Sequence, residues 1–310
     1  MYPKLFNIGP LPLYSFGAMM ALAFLVANFI LTKEIERKRI VPEDDQSKGR
    51  KKDAAALKNE AIDVASMVTA ISIFLGIAGS KLFHILENLG DFFRDPIGMI
   101  ANGGGLTFYG GLILAALGNY FYLRSKKILI LKFFDAAAPA LMIAYGIGRI
   151  GCLLAGDGDY GQPTKLPWAM TYPNGVVPTL AAQNPDLAKR YREMYPAEPV
   201  PVDIPVHPAP VYETLYSLVI FALLWKLRTE PRPDGWIFFL YLALQAACRF
   251  MVELIRINNV LVFGLSQAQV ISLALLAIGL VGLWRVSGKP GGESPEKIKG
   301  RADRKALTPT

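Results

Sequence analysis

Apolar residues fall into seven runs of membrane-spanning length, at roughly 11–31, 64–85, 105–123, 133–154, 209–225, 236–255 and 264–284. Between these runs the chain turns polar and basic. In lipid only a helix or a closed barrel satisfies its own backbone groups. Runs of this length predict an all-α membrane protein with seven transmembrane helices. The first run has only Lys4 before it and six further runs after it, so it reads as a span and not as a signal peptide.

The connectors predict an orientation. Lys and Arg number nine in 32–60, four in 124–132, three in 226–235 and seven in 285–310, together 23 of the 33. Arg37-Lys38-Arg39 and Arg50-Lys51-Lys52 are the densest groups. The alternate connectors are poor in both residues. The positive-inside rule then puts the N-terminus outside and the C-terminus in the cytoplasm. On this reading residues 1–284 are one membrane domain, 155–208 form a small extracytoplasmic cap within it, and 285–310 are a basic cytoplasmic tail.

Composition agrees with the spans. Of 310 residues 53% are hydrophobic and 19% charged, and mean hydropathy is +0.33, too apolar for an ordinary soluble domain. The net charge of +8 raises the question of nucleic acid. The basic groups sit in connectors, where they act as topology signals and lipid-headgroup contacts, so no nucleic-acid partner is expected. Cys152 and Cys248 imply no disulfide framework, and His84 and His207 lack the spacing of a zinc site. No metal or cofactor is expected.

Charge inside the spans is the informative signal, because it is costly in hydrocarbon. Arg149 lies near the end of the fourth run. The sixth carries Arg249, Glu253 and Arg256 at i, i+4 and i+7, on one helical face. Glu213 opens the fifth, just after His207-Pro208 and Tyr212. With this topology all of them lie towards the outer leaflet. A helix-end arginine can snorkel, and Arg249 with Glu253 can be a structural ion pair. Two arginines from different spans at one depth also suit an anionic group, since guanidinium forks grip phosphate oxygens in pairs. The run Gly156-Asp157-Gly158-Asp159-Tyr160-Gly161 reads as exposed backbone beside a polar cavity, or as a solvated turn; it lacks the calcium loop of an EF-hand. Gly146, Gly148, Gly110 and Gly111 suit close helix packing.

Together these motifs resemble the bacterial prolipoprotein diacylglyceryl transferases over nearly the whole chain. Gly148-Arg149-Ile150-Gly151 with the acidic-glycine run is similar to the family's G-R-x-G signature. His207-Pro208 with Tyr212-Glu213 resembles its H-P-x-x-x-Y-E, and Arg249 to Arg256 its R-F-x-x-E-x-x-R. Leu265-Ser266 with Gln269 resembles L-S-x-x-Q, and Ile8-Gly9-Pro10 matches before the first span. Five positions depart from the pattern, among them Ala155 at a second asparagine and Phe16 at the tyrosine of the first span. Tyr109 stands where the family's glycine-rich segment usually has histidine, Cys152 where it has asparagine, and Asp157 where it has glutamate.

The resemblance implies transfer of the diacylglyceryl group of phosphatidylglycerol to the lipobox cysteine thiol of preprolipoproteins, at the bacterial inner membrane among other membrane lipids. Arg149, Arg249, Tyr109 and Glu253 are its implied catalytic residues. Gly148, Gly151, Asp157, Asp159, Gly161, His207, Tyr212, Glu213 and Arg256 join Arg149 in binding substrate. Arg149 and Arg249 clamp the phosphate, and Glu253 orients Arg249. A phenol is a poor base at neutral pH but donates a hydrogen bond, so Tyr109 or a nearby acid assists the thiol. Cys152 is not expected to be a nucleophile, because an enzyme thioether is too stable an intermediate. The alternative is a lipid-binding or lipid-transport protein that kept the headgroup site and lost the chemistry.

Overall fold

A computed structural model describes residues 1–9, 11–40, 54–101, 107–258, 260–262 and 264–288. The Arg50-Lys51-Lys52 group, Pro10, the glycine run 103–105 and most of the basic tail lie outside the described residues.

Among the described residues the regular elements are helices and two short hairpins, and most of 156–208 is irregular. After β1 (Lys4–Ile8) and β2 (Leu11–Tyr14) come α1 (Ser15–Lys38), α2 (Ala54–Glu87), α3 (Leu89–Arg94), α4 (Pro96–Ala101) and α5 (Phe108–Ser125). Next are α6 (Ile130–Ala155), α7 (Pro185–Met194), α8 (Ala209–Leu227) and α9 (Trp236–Glu253). The chain ends in β3 (Val260–Val262), β4 (Leu265–Ser266) and α10 (Gln267–Ser287). Helices α1, α2, α6, α8, α9 and α10 are six that are long and apolar enough to cross a membrane. The expected third span corresponds to α5, an eighteen-residue helix with Asn119, Arg124 and three tyrosines that is not one of those six. Phe74 (74%), Val219 (69%) and Trp284 (77%) stand largely exposed, as lipid-facing side chains do.

The chain divides into two compact units. In the unit of residues 28–136, α5 packs on α2 through glycine. A Cβ at Gly110 would strike the Gly79 carbonyl and Phe83, so Gly110 and Gly111 do serve packing there. Asn119 donates to Ser72 (2.8 Å) across the same pair, and Asn28 of α1 donates to Thr69 of α2 (2.9 Å). Lys38 pairs with buried Asp135 at 2.9 Å.

The unit of residues 1–27 and 137–310 holds the remaining helices. Ala138 and Met142 of α6, Ile220 and Leu224 of α8 and Ile237 of α9 form one apolar cluster. Helix α10 begins on a capping box: Ser266 Oγ accepts from Gln269 N (3.3 Å), and Gln269 Oε1 accepts from Ser266 N (2.9 Å). It lies so close to α9 that a Cβ on Gly279 would come within 2.7 Å of Ala243 N. Gly279→Leu is therefore expected to cost about 1–3 kcal/mol, read as an earlier unfolding transition of the detergent-solubilised protein.

Residues 156–208 fold around their own small core of Tyr160, Tyr172, Leu187, Ala188, Tyr191, Ile204 and Val206. Within this segment α7 starts at Asn184, whose side chain accepts from Leu187 N at 3.1 Å, with Pro185 following. Near its start Gly161 bridges Arg256, and within it Val206 bridges Pro163 and Met170.

Candidate active site

Three arginines and three carboxylates from separate parts of the chain meet in the larger unit. Arg149 comes from the penultimate turn of α6, and Glu213 from the second turn of α8. Arg249 and Glu253 lie one turn apart at the end of α9, and Arg256 two residues past its cap. Asp159 comes from the loop after α6.

Glu213 is the hub. Its side chain is fully buried, and it pairs with Arg249 (2.5 Å), Arg149 (3.1 Å) and Arg256 (3.6 Å). Tyr145 also donates to it at 2.8 Å. The helices thus bring Arg149 and Arg249 together, with a carboxylate between them. Glu253 pairs with Arg249 at 3.0 Å and lies 3.8 Å from Arg256. It is held from the other side by Ser266 Oγ (2.7 Å) and by Asn258. Asp159 pairs with Arg149 through one oxygen and with Arg256 through the other. Formal charge in the cluster balances, so the arginines are buried without net charge.

Electrostatics outside the spans follow from this packing. Burial pushes the Asp159 carboxyl up, but Arg256 and Arg149 outweigh it and hold the group down to about 2. Asp157, whose carboxylate accepts the Asp159 backbone N–H at 3.3 Å, is pushed up by burial and by the charge of Asp159. Burial lowers His207.

The other expected site residues divide into three groups. Gly161 lies against this cluster: it bridges Arg256, and its N–H donates to the His207 carbonyl at 2.8 Å. His207 Nδ1 lies 3.3 Å from Tyr212 Oη, which accepts from Trp168 at 2.7 Å. Gly148 and Gly151 face the start of α1: Gly148 sits beside Met20, and Gly151 beside Met19 and Phe16. Tyr109 belongs to the other unit, in the first turn of α5. Cys152 is buried with its Sγ 3.7 Å from Arg149 Nη1.

Some cluster residues were not expected. Tyr216 donates to Tyr145 (3.0 Å), and Gln245 to Tyr216 (3.4 Å), so a chain of polar groups leads from Glu213 into the helices. The signal was in the sequence: Tyr145 precedes Arg149 by one helical turn, and Tyr216 follows Glu213 by three residues. Among the described residues, Cys152, Asp157 and Asp159 bring ligand atoms close enough for a metal ion. Two guanidiniums already hold the Asp159 oxygens, and positive charge there opposes a cation.

The arrangement can take up an anionic group and stabilise charge that develops on it, with donors fixed in advance. A family model for prolipoprotein diacylglyceryl transferase matches residues 3–285. The phosphatidylglycerol–prolipoprotein diacylglyceryl transferase of Clostridium tetani is 32% identical over 284 residues, 90% of this chain and 96% of its own. Its namesake from Dehalococcoides mccartyi is 29% identical over 278 residues, covering 90% and 91%. That from Corynebacterium diphtheriae is 31% identical over 220 residues, covering 69% and 74%.

Proposed function

We propose that this chain, which belongs to the prolipoprotein diacylglyceryl transferase family, moves the diacylglyceryl group of phosphatidylglycerol to the lipobox cysteine of preprolipoproteins, the first step of lipoprotein maturation. One observation carries the assignment of the site: three guanidiniums converge on buried Glu213.

The reaction is a displacement at a glyceryl carbon. A sulfur–carbon bond forms, the carbon–oxygen bond to phosphate breaks, and glycerol phosphate leaves. The phosphodiester carries one negative charge and the departing monoester gains a second. Arg149 and Arg249 clamp the phosphate and stabilise that added charge. Glu253, braced by Ser266 and Asn258, orients Arg249. Gly148, Gly151, Asp157, Asp159, Gly161, His207, Tyr212, Glu213 and Arg256 form the substrate surround. The thiol, ordinarily near pKa 8.5, must lose its proton. Tyr109 or a nearby acid assists that loss.

The membrane arrangement is part of the proposal. Helix α5 joins the six apolar helices as a seventh span in the bacterial inner membrane. The N-terminus and the 155–208 cap lie outside, and the basic tail lies in the cytoplasm. The Lys/Arg bias of the connectors supports this sidedness. It puts the arginines at the leaflet where lipid and lipobox peptide meet. Residues 1–284 form the transferase domain.

The test uses bacteria depleted of their own transferase. With this chain expressed, a lipobox substrate is expected to gain the mass of a diacylglyceryl group, and purified protein to release glycerol phosphate. A stable, inserted protein that binds phosphatidylglycerol but does neither would point instead to the lipid-binding alternative.

A further inference from the structure

The three carboxylates of the cluster are not equivalent. The side chains of Glu213 and Glu253 are 0% and 1% exposed, whereas that of Asp159 is 30% exposed. Asp159 is thus the one that water, or an incoming anion, can reach. It also spans two arginines, one oxygen on Arg149 and the other on Arg256. The two non-bridging oxygens of a phosphodiester offer the same fork. The loop that carries it has Gly156 at φ +60° and Gly158 at φ +90°, conformations that favour glycine.

A second observation points to a ligand. The Arg256 side chain is only 9% exposed, and its Nε and Nη1 face Glu253 at 3.8 Å and Glu213 at 3.6 Å, ion-pair contacts too long for a hydrogen bond. Buried guanidinium donors are costly to leave unmet. An acceptor with more oxygens than a carboxylate can meet them.

We infer that Asp159 is a built-in stand-in for the substrate phosphate, holding Arg149, the member shared with the clamp proposed above, and Arg256 ready and swinging out when the phospholipid phosphate enters. The identity of that phosphate rests on the function proposed above. Charge favours the exchange, since one monoanion replaces another and the displaced carboxylate is rehydrated. After transfer the glycerol phosphate carries an additional charge. That charge tightens its hold on the arginines, and the return of Asp159 to Arg149 and Arg256 opposes the hold and helps expel the product. It is a positioning residue that controls entry and release.

The test is Asp159→Asn, a neutral side chain of the same shape. Without the competing carboxylate, the variant is expected to bind sn-glycerol 1-phosphate, the released headgroup, about tenfold more tightly than the wild type in titration calorimetry, a change worth about 1.4 kcal/mol. A residue that merely braced the arginines would give weaker binding when neutralised. Binding by the variant no tighter than the wild type's, including none by either, overturns the inference. Should the variant fail to fold, the wild type decides. Amide hydrogen exchange at residues 156–160 is expected to rise on adding sn-glycerol 1-phosphate, and unchanged exchange overturns the inference. Both readouts work without turnover. A wild type that binds glycerol phosphate but lipidates no peptide overturns the transferase reading and leaves this one standing.

Discussion

Glu213→Gln is expected to be the most damaging single substitution in the chain. The change keeps the shape of the side chain and removes its charge. Three arginines are then left with two carboxylates in a buried space. Removing one partner of a buried ion pair costs roughly 3–5 kcal/mol, because the other charge is left uncompensated. Here one carboxylate serves three guanidiniums and a tyrosine, so the expected loss lies at the upper end of that range. Thermal unfolding of the solubilised protein measures it. Added phosphate should return part of the lost stability to this variant, and less to the wild type, because an anion can supply the missing charge. Unfolding that is unchanged by the substitution would show that Glu213 is not the hub of the cluster.

How far such a site can be read in advance depends on the range of the interaction. Six of the seven expected runs correspond to helices long and apolar enough to cross a membrane, legible because hydrocarbon thickness imposes a length on each apolar run. The expected run at 209–225 corresponds to α8 (Ala209–Leu227), and that at 236–255 to α9 (Trp236–Glu253). Helix α2 begins at Ala54, about ten residues before its apolar run, because Ala54-Ala55-Ala56-Leu57-Lys58 favours helix without being apolar enough to mark a span. The hairpin of β1 and β2 was hidden for the opposite reason: Leu11–Tyr14 is apolar and was absorbed into the first run. Arg249 and Glu253 were legible as a pair because helical spacing alone places them together.

Glu213 and Asp159 could be named as site residues, but their function as counter-ions could not be read. Arg149 and Glu213 are 64 residues apart in sequence, and Asp159 and Arg256 are 97 apart. No periodicity carries information over such distances. The sequence therefore suggested a clamp of two arginines open to phosphate. The structure puts Glu213 between those arginines and Asp159 on a different nitrogen of Arg149. The fold of residues 156–208 was illegible for a related reason. Its core joins Tyr160 and Tyr172 to Leu187, Tyr191 and Val206 across loops with no regular alternation.

Arg149 is where these contacts concentrate, and Arg149→Lys is the sharpest test of what the site needs. In the wild type Arg149 Nε meets Glu213 at 3.1 Å, Nη1 meets Asp159, and the guanidinium lies 5.0 Å from the Tyr145 ring centre. A lysine keeps the charge but offers a single ammonium on a flexible stem. It can serve Glu213 or Asp159, but it lacks the planar fork that serves both. Were positive charge alone sufficient, Arg149→Lys would retain most of the activity and only Arg149→Ala would lose it. The geometry predicts instead that both variants fall by roughly 10²–10³-fold in kcat, the usual cost of removing one preorganised donor to a developing charge. Transfer of labelled diacylglyceryl from phosphatidylglycerol to a lipobox peptide reads this directly, with KM followed alongside. A lysine variant within tenfold of wild type would mean that a point charge is enough and that the fork plays no part in the chemistry.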